Sequence, residues 1–245
     1  MTVNNRPVQY LLDPDTPLVH SHMHDNMVLQ TTHGDEAAAD AAFAKAAHIT
    51  ECIVPTNRVT AAPIEPRSYL GHYEAERDHY TLWSATQSPH LERRHLGVSM
   101  NIPEHKCRVV APDVGGGFGM KLYHYPEEPT VLWASKVVGR PVRWTGTRSE
   151  VLASDTHARD HHTVGKIAFD ADGKILAMKF ETLAAFGAYE SQFQASIANA
   201  YHYCLLSCGY DIPAIFTHVR SVYTHTTPVD AYRGAGRPEA VYQVE

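Results

Sequence analysis

The run Pro112-Asp113-Val114-Gly115-Gly116-Gly117-Phe118-Gly119-Met120-Lys121 decides how this chain is read. Four glycines around one aromatic make a turn in which backbone N–H groups approach an anion or oxo group with no side chain between them. The run follows an extended stretch at 106–110, so it is the loop leaving a strand. Its spacing fits neither the dinucleotide fingerprint nor the Walker phosphate loop. The residues alone leave two readings, a structural glycine turn and a cofactor loop.

A second run lies far downstream: Asp230-Ala231-Tyr232-Arg233-Gly234-Ala235-Gly236-Arg237-Pro238-Glu239. It again sets glycines beside cationic side chains, immediately before the amphipathic start at 240–244. Two such loops on different elements predict a ligand held between two segments. Further motifs stand in a fixed order between and before them: Gly34-Asp35 followed by Ala39-Asp40-Ala41-Ala42-Phe43, then Ser84-Ala85-Thr86-Gln87-Ser88-Pro89-His90, Tyr125-Pro126-Glu127-Glu128 and Arg140-Pro141-Val142-Arg143-Trp144. From about His33 onward the chain resembles the large, molybdopterin-binding subunit of the xanthine dehydrogenase and aldehyde oxidase family. More narrowly, it resembles that family's carbon monoxide dehydrogenase-like branch.

Composition sets outer bounds. At 245 residues the chain holds one large or two modest domains with a real core. Its net charge of −6, with acids and bases interspersed and no basic arm, gives no electrostatic support for nucleic-acid binding. No apolar run reaches the length of a membrane span, and the start lacks the pattern of a signal sequence, so the expected location is cytoplasmic. Cys52, Cys107, Cys204 and Cys208 form neither a disulfide framework nor a paired metal motif. Cys204 and Cys208 read as buried free thiols. His20, His22 and His24 alternate in a polar segment and read as surface or structural groups. Asp160-His161-His162 reads as a strand entrance or a buried hydrogen-bonding group.

The coarse pattern is α+β, with mixed sheets and flanking helices, matching the N-terminal part of a molybdenum-cofactor-binding large subunit. Residues 1–32 read as irregular, with a turn at Asp13-Pro14-Asp15. Asp35 caps a helix through residue 46. Strands are expected at 49–54, 69–73, 80–84, 106–111, 142–145 and 216–223, with a hairpin of 163–169 and 174–181 turning at Gly173. Helices are expected from Ser88 to about Met100, over 130–138 and from 239 onward. The domain reading is a lead-in at 1–34, a first cofactor-binding subdomain at 35–160 and the start of a second at 161–245, which looks interrupted.

The resemblance implies roles for individual residues. Gln87, otherwise a surface or capping glutamine, would present a neutral amide donor to the oxo ligand of molybdenum. Ala85 replaces a serine often found in that motif. Phe118 and Gly119 would bring backbone to the molybdenum centre above Gly115, Gly116 and Gly117. Phe118 would wall the substrate channel, unless it only packs a sheet edge. Arg233 with Gly234, Ala235 and Gly236 would anchor the pterin. Arg237 and Glu239 either pair locally or touch the cofactor, and Lys121 would balance nearby phosphate charge. Gln87 and Phe118 are thus the expected catalytic groups, and no protein side chain is expected to ligate the metal directly.

The implied cofactor is a molybdenum–pterin, as molybdopterin or its cytosine dinucleotide form. Iron–sulfur clusters and FAD are expected on partners, namely an iron–sulfur small subunit and an FAD-binding medium subunit, together with the remainder of the large subunit. The implied reaction is hydroxylation or oxidation of a small-molecule substrate. Two departures narrow it. Gly234 stands where copper-containing carbon monoxide dehydrogenases carry a cysteine, and Leu122 stands where purine-oxidising members carry a glutamate. An aldehyde or N-heteroaromatic substrate is therefore expected. No residue matches the family's downstream glutamate base, so this chain reads as a cofactor-binding part completed by other sequence. The alternative is a non-catalytic scaffold or assembly protein that keeps the cofactor-binding fold.

Overall fold

The computed structural model describes residues 2–3, 6–7, 13 and 15–245. The expected turn at Asp13-Pro14-Asp15 and the start of the expected lead-in fall partly outside them. In chain order the main elements are β1 (Met27–Gly34), α1 (Glu36–Phe43), β2 (His48–Thr56), β3 (Ser68–Glu74), β4 (His79–Ser84), α2 (Pro89–Ser99), β5 (Cys107–Val110), α3 (Glu127–Val138), β6 (Val142–Thr145), α4 (Arg148–Ser154), β7 (His161–Phe169), β8 (Ile175–Gly187), β9 (Ala214–Tyr223) and α5 (Arg237–Val244).

The chain divides into two compact units, one of residues 1–59 with 156–245, the other of residues 60–155. This corrects the expected sequential division at 34 and 160. The physical reason is strand pairing: β2 lies antiparallel to β7, from His48 opposite Phe169 to Thr56 opposite His161. Residues 35–59 therefore belong with the C-terminal part and not with residues 60–155.

The first unit carries a five-stranded sheet in the order β1-β9-β8-β7-β2. The β8–β9 pair is parallel and the other neighbours are antiparallel. Period-two alternation sends Ala177 to one face, where Ala39 of α1, Ala168, Ala214 and Phe216 form a seam of mostly small side chains. Met178 and Phe180 point the other way, onto Leu206 and onto Ala240 and Val244 of α5. A sheet covered on both faces explains why the second half of β8 is almost continuously buried. Asp35 caps α1 by accepting from the Ala38 N–H at 2.9 Å, as its position predicted. β1 overturns the irregular reading of residues 27–32. Cys204 and Cys208 are exposed free thiols, correcting the buried expectation.

The second unit has a four-stranded sheet in the order β5-β4-β3-β6. Its core joins Tyr69, Tyr80, Leu82 and Cys107 of the strands to Leu96 of α2 and Val131 and Leu132 of α3. The β4–α2–β5 segment is a parallel crossover, and β3 pairs antiparallel with β4 and β6. α3 begins at Glu127, earlier than its expected start, because Pro129 is tolerated in a first turn where no intrahelical N–H bond is lost. α4 was not expected, although Thr147 and Glu150 form a reciprocal capping box at its start.

Candidate functional site

β4 and β5 run side by side in parallel, with Trp83 opposite Val110. Their carboxyl ends therefore release the chain on the same side of the sheet, where open α/β sheets take their ligands. β4 delivers Gln87, and β5 delivers the glycine run. The two meet directly: the Gly119 N–H donates to Gln87 Oε1 at 2.9 Å, and the Gln87 N–H donates to the Lys121 carbonyl at 2.9 Å. A Cβ on Gly117 would stand 2.3 Å from Gln87 Oε1, so the glutamine fills the space a side chain at 117 would need. An N–H can only donate, which fixes the oxygen of the Gln87 amide on Gly119 and leaves its NH2 as the free donor. Gln87 itself is exposed.

The loop backbone is left-handed at Gly116, Phe118 and Gly119, with φ of 91°, 54° and 108°. For Phe118 that conformation is strained, a mark of sites where geometry is held for a purpose. Its ring lies over Gly116, where a Cβ would come within 2.9 Å of it. Phe118 is 42% exposed. The N–H groups of Gly117 and Phe118 have no acceptor among the described residues.

Beneath the loop, Lys121 is fully buried and pairs with Glu65 at 2.7 Å. Its charge is thus spent internally and not on a phosphate. Glu65 Oε2 also accepts from the Gly115 N–H at 2.7 Å. Burial alone would raise the Glu65 pKa; the Lys121 and Gly115 hydrogen bonds and the Lys121 charge together hold it below the usual carboxylate range.

The run Tyr125-Pro126-Glu127-Glu128 braces the same unit. Arg67, 1% exposed, bonds Asp155 at 2.6 Å and Glu127 at 2.7 Å and stacks over the Tyr125 ring at 3.7 Å. Glu128 turns inward, accepting from Ser84 Oγ at 3.3 Å and from the Tyr125 N–H at 3.0 Å. His124 Nδ1 lies 2.8 Å from Glu92 and 3.2 Å from Glu128, in a cluster with ligand types suited to a metal. Burial would lower the His124 pKa, but bonds to Glu128 and Glu92 and their charges raise it to about 9. Burial and the Glu92 charge push Glu128 up. One imidazolium here balances one carboxylate charge, and burial and the Glu92 charge favour the neutral form of Glu128.

The second loop belongs to the other unit. Gly234, Ala235 and Gly236 are all left-handed, at φ of 104°, 43° and 89°, and Gly236 opens α5 without a side-chain cap. Such a run of peptide units before a helix start gathers backbone N–H groups. Those of Gly234 and Gly236 have no acceptor among the described residues. Arg233 is exposed. Arg237 and Glu239 do not pair. Arg237 donates to the Gly234 carbonyl at 3.2 Å, whereas Glu239, 1% exposed, takes both oxygens to Arg159 at 3.1 and 3.0 Å. Arg159 also donates to the Arg233 carbonyl at 2.8 Å. Sequence reading missed Arg159, which sits in no motif and is separated from its partners by some 80 residues. His161 opens β7 as a buried group, and burial, then His202 and Arg159, lower its pKa to about 3, keeping it neutral. His20 packs edge-on against Tyr223 and contacts the Ala188 carbonyl, while His22 and His24 are exposed.

The profile of a family described as the molybdopterin cofactor-binding domain matches residues 19–245. The carbon monoxide dehydrogenase large chain of Afipia carboxidovorans is 34% identical over 96% of this chain and 31% of that relative. A solved structure of the reconstituted carbon monoxide dehydrogenase from Oligotropha carboxidovorans superposes with a TM-score of 0.88 at 33% identity, covering 96% of this chain and 31% of that one. Quinoline 2-oxidoreductase from Pseudomonas putida 86 superposes with a TM-score of 0.81 at 33% identity, over 90% of this chain and 29% of that one. The chain thus spans less than a third of the length of these relatives. No helix among the described residues is long and apolar enough to cross a membrane.

Proposed function

Because the chain belongs to the molybdopterin cofactor-binding domain family, we propose that each of its two loops contributes to holding a molybdenum–pterin cofactor in a cytoplasmic, multi-subunit hydroxylase. The observation that carries this reading is the Gln87–glycine-loop junction. Gly117 has no side chain where Gln87 lies, the Gln87 oxygen is engaged by Gly119, and the Gln87 NH2 and the Gly117 and Phe118 N–H groups have no acceptor among the described residues. Neutral donors of this kind suit metal-bound and pterin oxygens, because they stabilise charge without adding a cation. Arg233 with the Gly234 and Gly236 N–H groups offers the same chemistry plus one positive charge. When bound, the molybdenum–pterin group supplies two-electron oxidation and oxygen insertion. The chain's own contribution is to bind and orient that group, with Phe118 walling the approach.

The substrate class in this proposal is an aldehyde or an N-heteroaromatic compound. Leu122 offers no carboxylate to a purine. A thiolate for copper at position 234 is opposed by the backbone: φ is 104°, and a Cβ would lie 2.7 Å from Pro238. The proposed partners are the remainder of a large subunit, an iron–sulfur small subunit and an FAD-binding medium subunit. The test is turnover by the complete, matured complex on carbon monoxide, xanthine, simple aldehydes and N-heterocycles with one acceptor, with copper quantified. Turnover of an aldehyde or N-heterocycle is expected. Efficient copper-dependent oxidation of carbon monoxide overturns the substrate class, and turnover of none of them with no cofactor bound favours the scaffold reading.

A further inference from the structure

Arg159 and Asp160 are consecutive non-glycine residues in the left-handed region, with φ of 70° and 64°. Such a corner persists only where its surroundings over-determine it, and here both side chains are fixed. Asp160 accepts from Arg58 Nε at 2.9 Å, and Arg58 continues to the Thr227 carbonyl at 2.9 Å and Thr226 Oγ1 at 2.7 Å. The Asp160 carbonyl accepts from the Ala185 N–H at 3.1 Å. Arg159 points the other way, is 7% exposed, and reaches both ends of the second loop: the Arg233 carbonyl at its entry and the Glu239 carboxylate at its exit. Its guanidinium also lies 5.2 Å from the Tyr232 ring centre.

The contact with the Arg233 carbonyl has a directional consequence. In a planar trans peptide the C=O and the following N–H point to opposite sides, and the described chain has no cis peptide. The guanidinium that holds the Arg233 carbonyl therefore turns the Gly234 N–H away from itself. That N–H has no acceptor among the described residues, and Gly234 itself is left-handed, with φ of 104°. At the other end, Arg159 Nη1 donates to both Glu239 oxygens and ties down the first turn of α5 beside Gly236, while Nη2 takes the Arg233 carbonyl.

We propose that Arg159 is a positioning residue for the cofactor loop: by holding the Arg233 carbonyl and the Glu239 carboxylate with one planar fork, it aims the Gly234 and Gly236 N–H groups at the anionic or oxo oxygens of the molybdenum–pterin. This rests on the cofactor reading above. Lysine keeps the charge at this position but lacks the fork, so a single ammonium cannot hold both acceptors in this geometry.

The experiment compares wild type, Arg159→Lys and Val219→Ala in the complete matured complex. Val219 is a fully buried core residue of β9 that packs on Ala184, Phe186 and Ala198, and it serves as the stability control. Three quantities are read for each: pterin and molybdenum per folded chain, the unfolding midpoint, and hydrogen exchange at the Gly234 amide with cofactor bound. Loss of a partner that orients a ligand-binding group typically costs about 10- to 100-fold in affinity. Arg159→Lys is expected to lose at least about 10-fold of its pterin affinity and the exchange protection of Gly234. Val219→Ala keeps both, even with an equal or larger drop in midpoint. Glu239→Gln leaves the Arg233 contact in place and is the second probe if Arg159→Lys does not fold. It is expected to lower pterin retention by a smaller factor. Full loading with Gly234 protected as in wild type, in whichever variant folds, overturns the proposal, as does a loss that only tracks the midpoint as in Val219→Ala. A wild-type complex without pterin overturns the cofactor reading itself, which separates the two failures.

Discussion

The two loops present the same donors, glycine N–H groups beside left-handed backbone, but they are held by opposite means. The 115–119 loop is braced from nearby: Gln87 takes the Gly119 N–H, and Glu65 takes the Gly115 N–H and the Lys121 ammonium. Its chemical group, the Gln87 amide, is exposed and can be changed without opening a core. The 233–236 loop hangs on one buried ion pair, Arg159 with Glu239, made by residues far apart in sequence. One loop separates function from stability, whereas the other joins them.

That contrast predicts different kinds of damage. The largest effect is expected for Arg159→Ala, which leaves the Glu239 carboxylate buried and unpaired; it should lower folding stability by about 3–5 kcal/mol, measured by denaturant titration. If the cost is below about 1 kcal/mol, the second loop is not tied to the fold in this way. Gln87→Ala should do the reverse. In fully loaded complex it should slow turnover on the order of 10²-fold, as loss of one aimed donor does, while leaving the unfolding midpoint nearly unchanged. Unchanged turnover at full loading places Gln87 outside the chemistry.

A smaller effect is expected for Gly234→Cys. The left-handed backbone and the 2.7 Å approach to Pro238 should cost about 1–3 kcal/mol of stability. No copper should be retained, as metal analysis will read directly. The smallest effect concerns pH. Because the folded Glu65 pKa lies below its ordinary 4.5, its contribution is fully present above that value and fades as pH falls through the folded pKa. Glu65→Gln should therefore flatten this part of the acid limb of the stability profile, modestly, since the Glu65 side chain is 35% exposed. An acid limb identical to wild type shows that the first loop is not braced through this carboxylate.

Local signals were legible and long-range ones were not. Asp35 as a cap, the turn at Gly173 and the strands around the glycine run follow from residue type and spacing, and the structure has them. Gln87 was readable because its motif sits between a strand and a helix start. The split into two units was not readable, because the β2–β7 pairing joins segments more than 100 residues apart and no period in either announces its partner. β1 was missed because its residues alternate between half-buried and exposed, with no strong apolar face. Arg159 had no signal, since a lone arginine before Asp160 looks like any surface charge until the fold brings Glu239 to it. α4 was overlooked despite a visible one, the Thr147 and Glu150 capping pair.

In the function proposed above, the chain is a molybdenum–pterin-binding part of a hydroxylase, with the Gln87–glycine-loop junction as one of its holds. The most direct measurement is molybdenum and pterin content of the complete, matured protein, wild type beside Gly117→Ala. A Cβ at 117 falls 2.3 Å from Gln87 Oε1 and must displace the amide. Equimolar molybdenum and pterin in wild type, with marked loss of both in the folded Gly117→Ala variant, is the predicted result. A matured wild-type protein holding neither, or a Gly117→Ala variant loaded as fully as wild type, would contradict it.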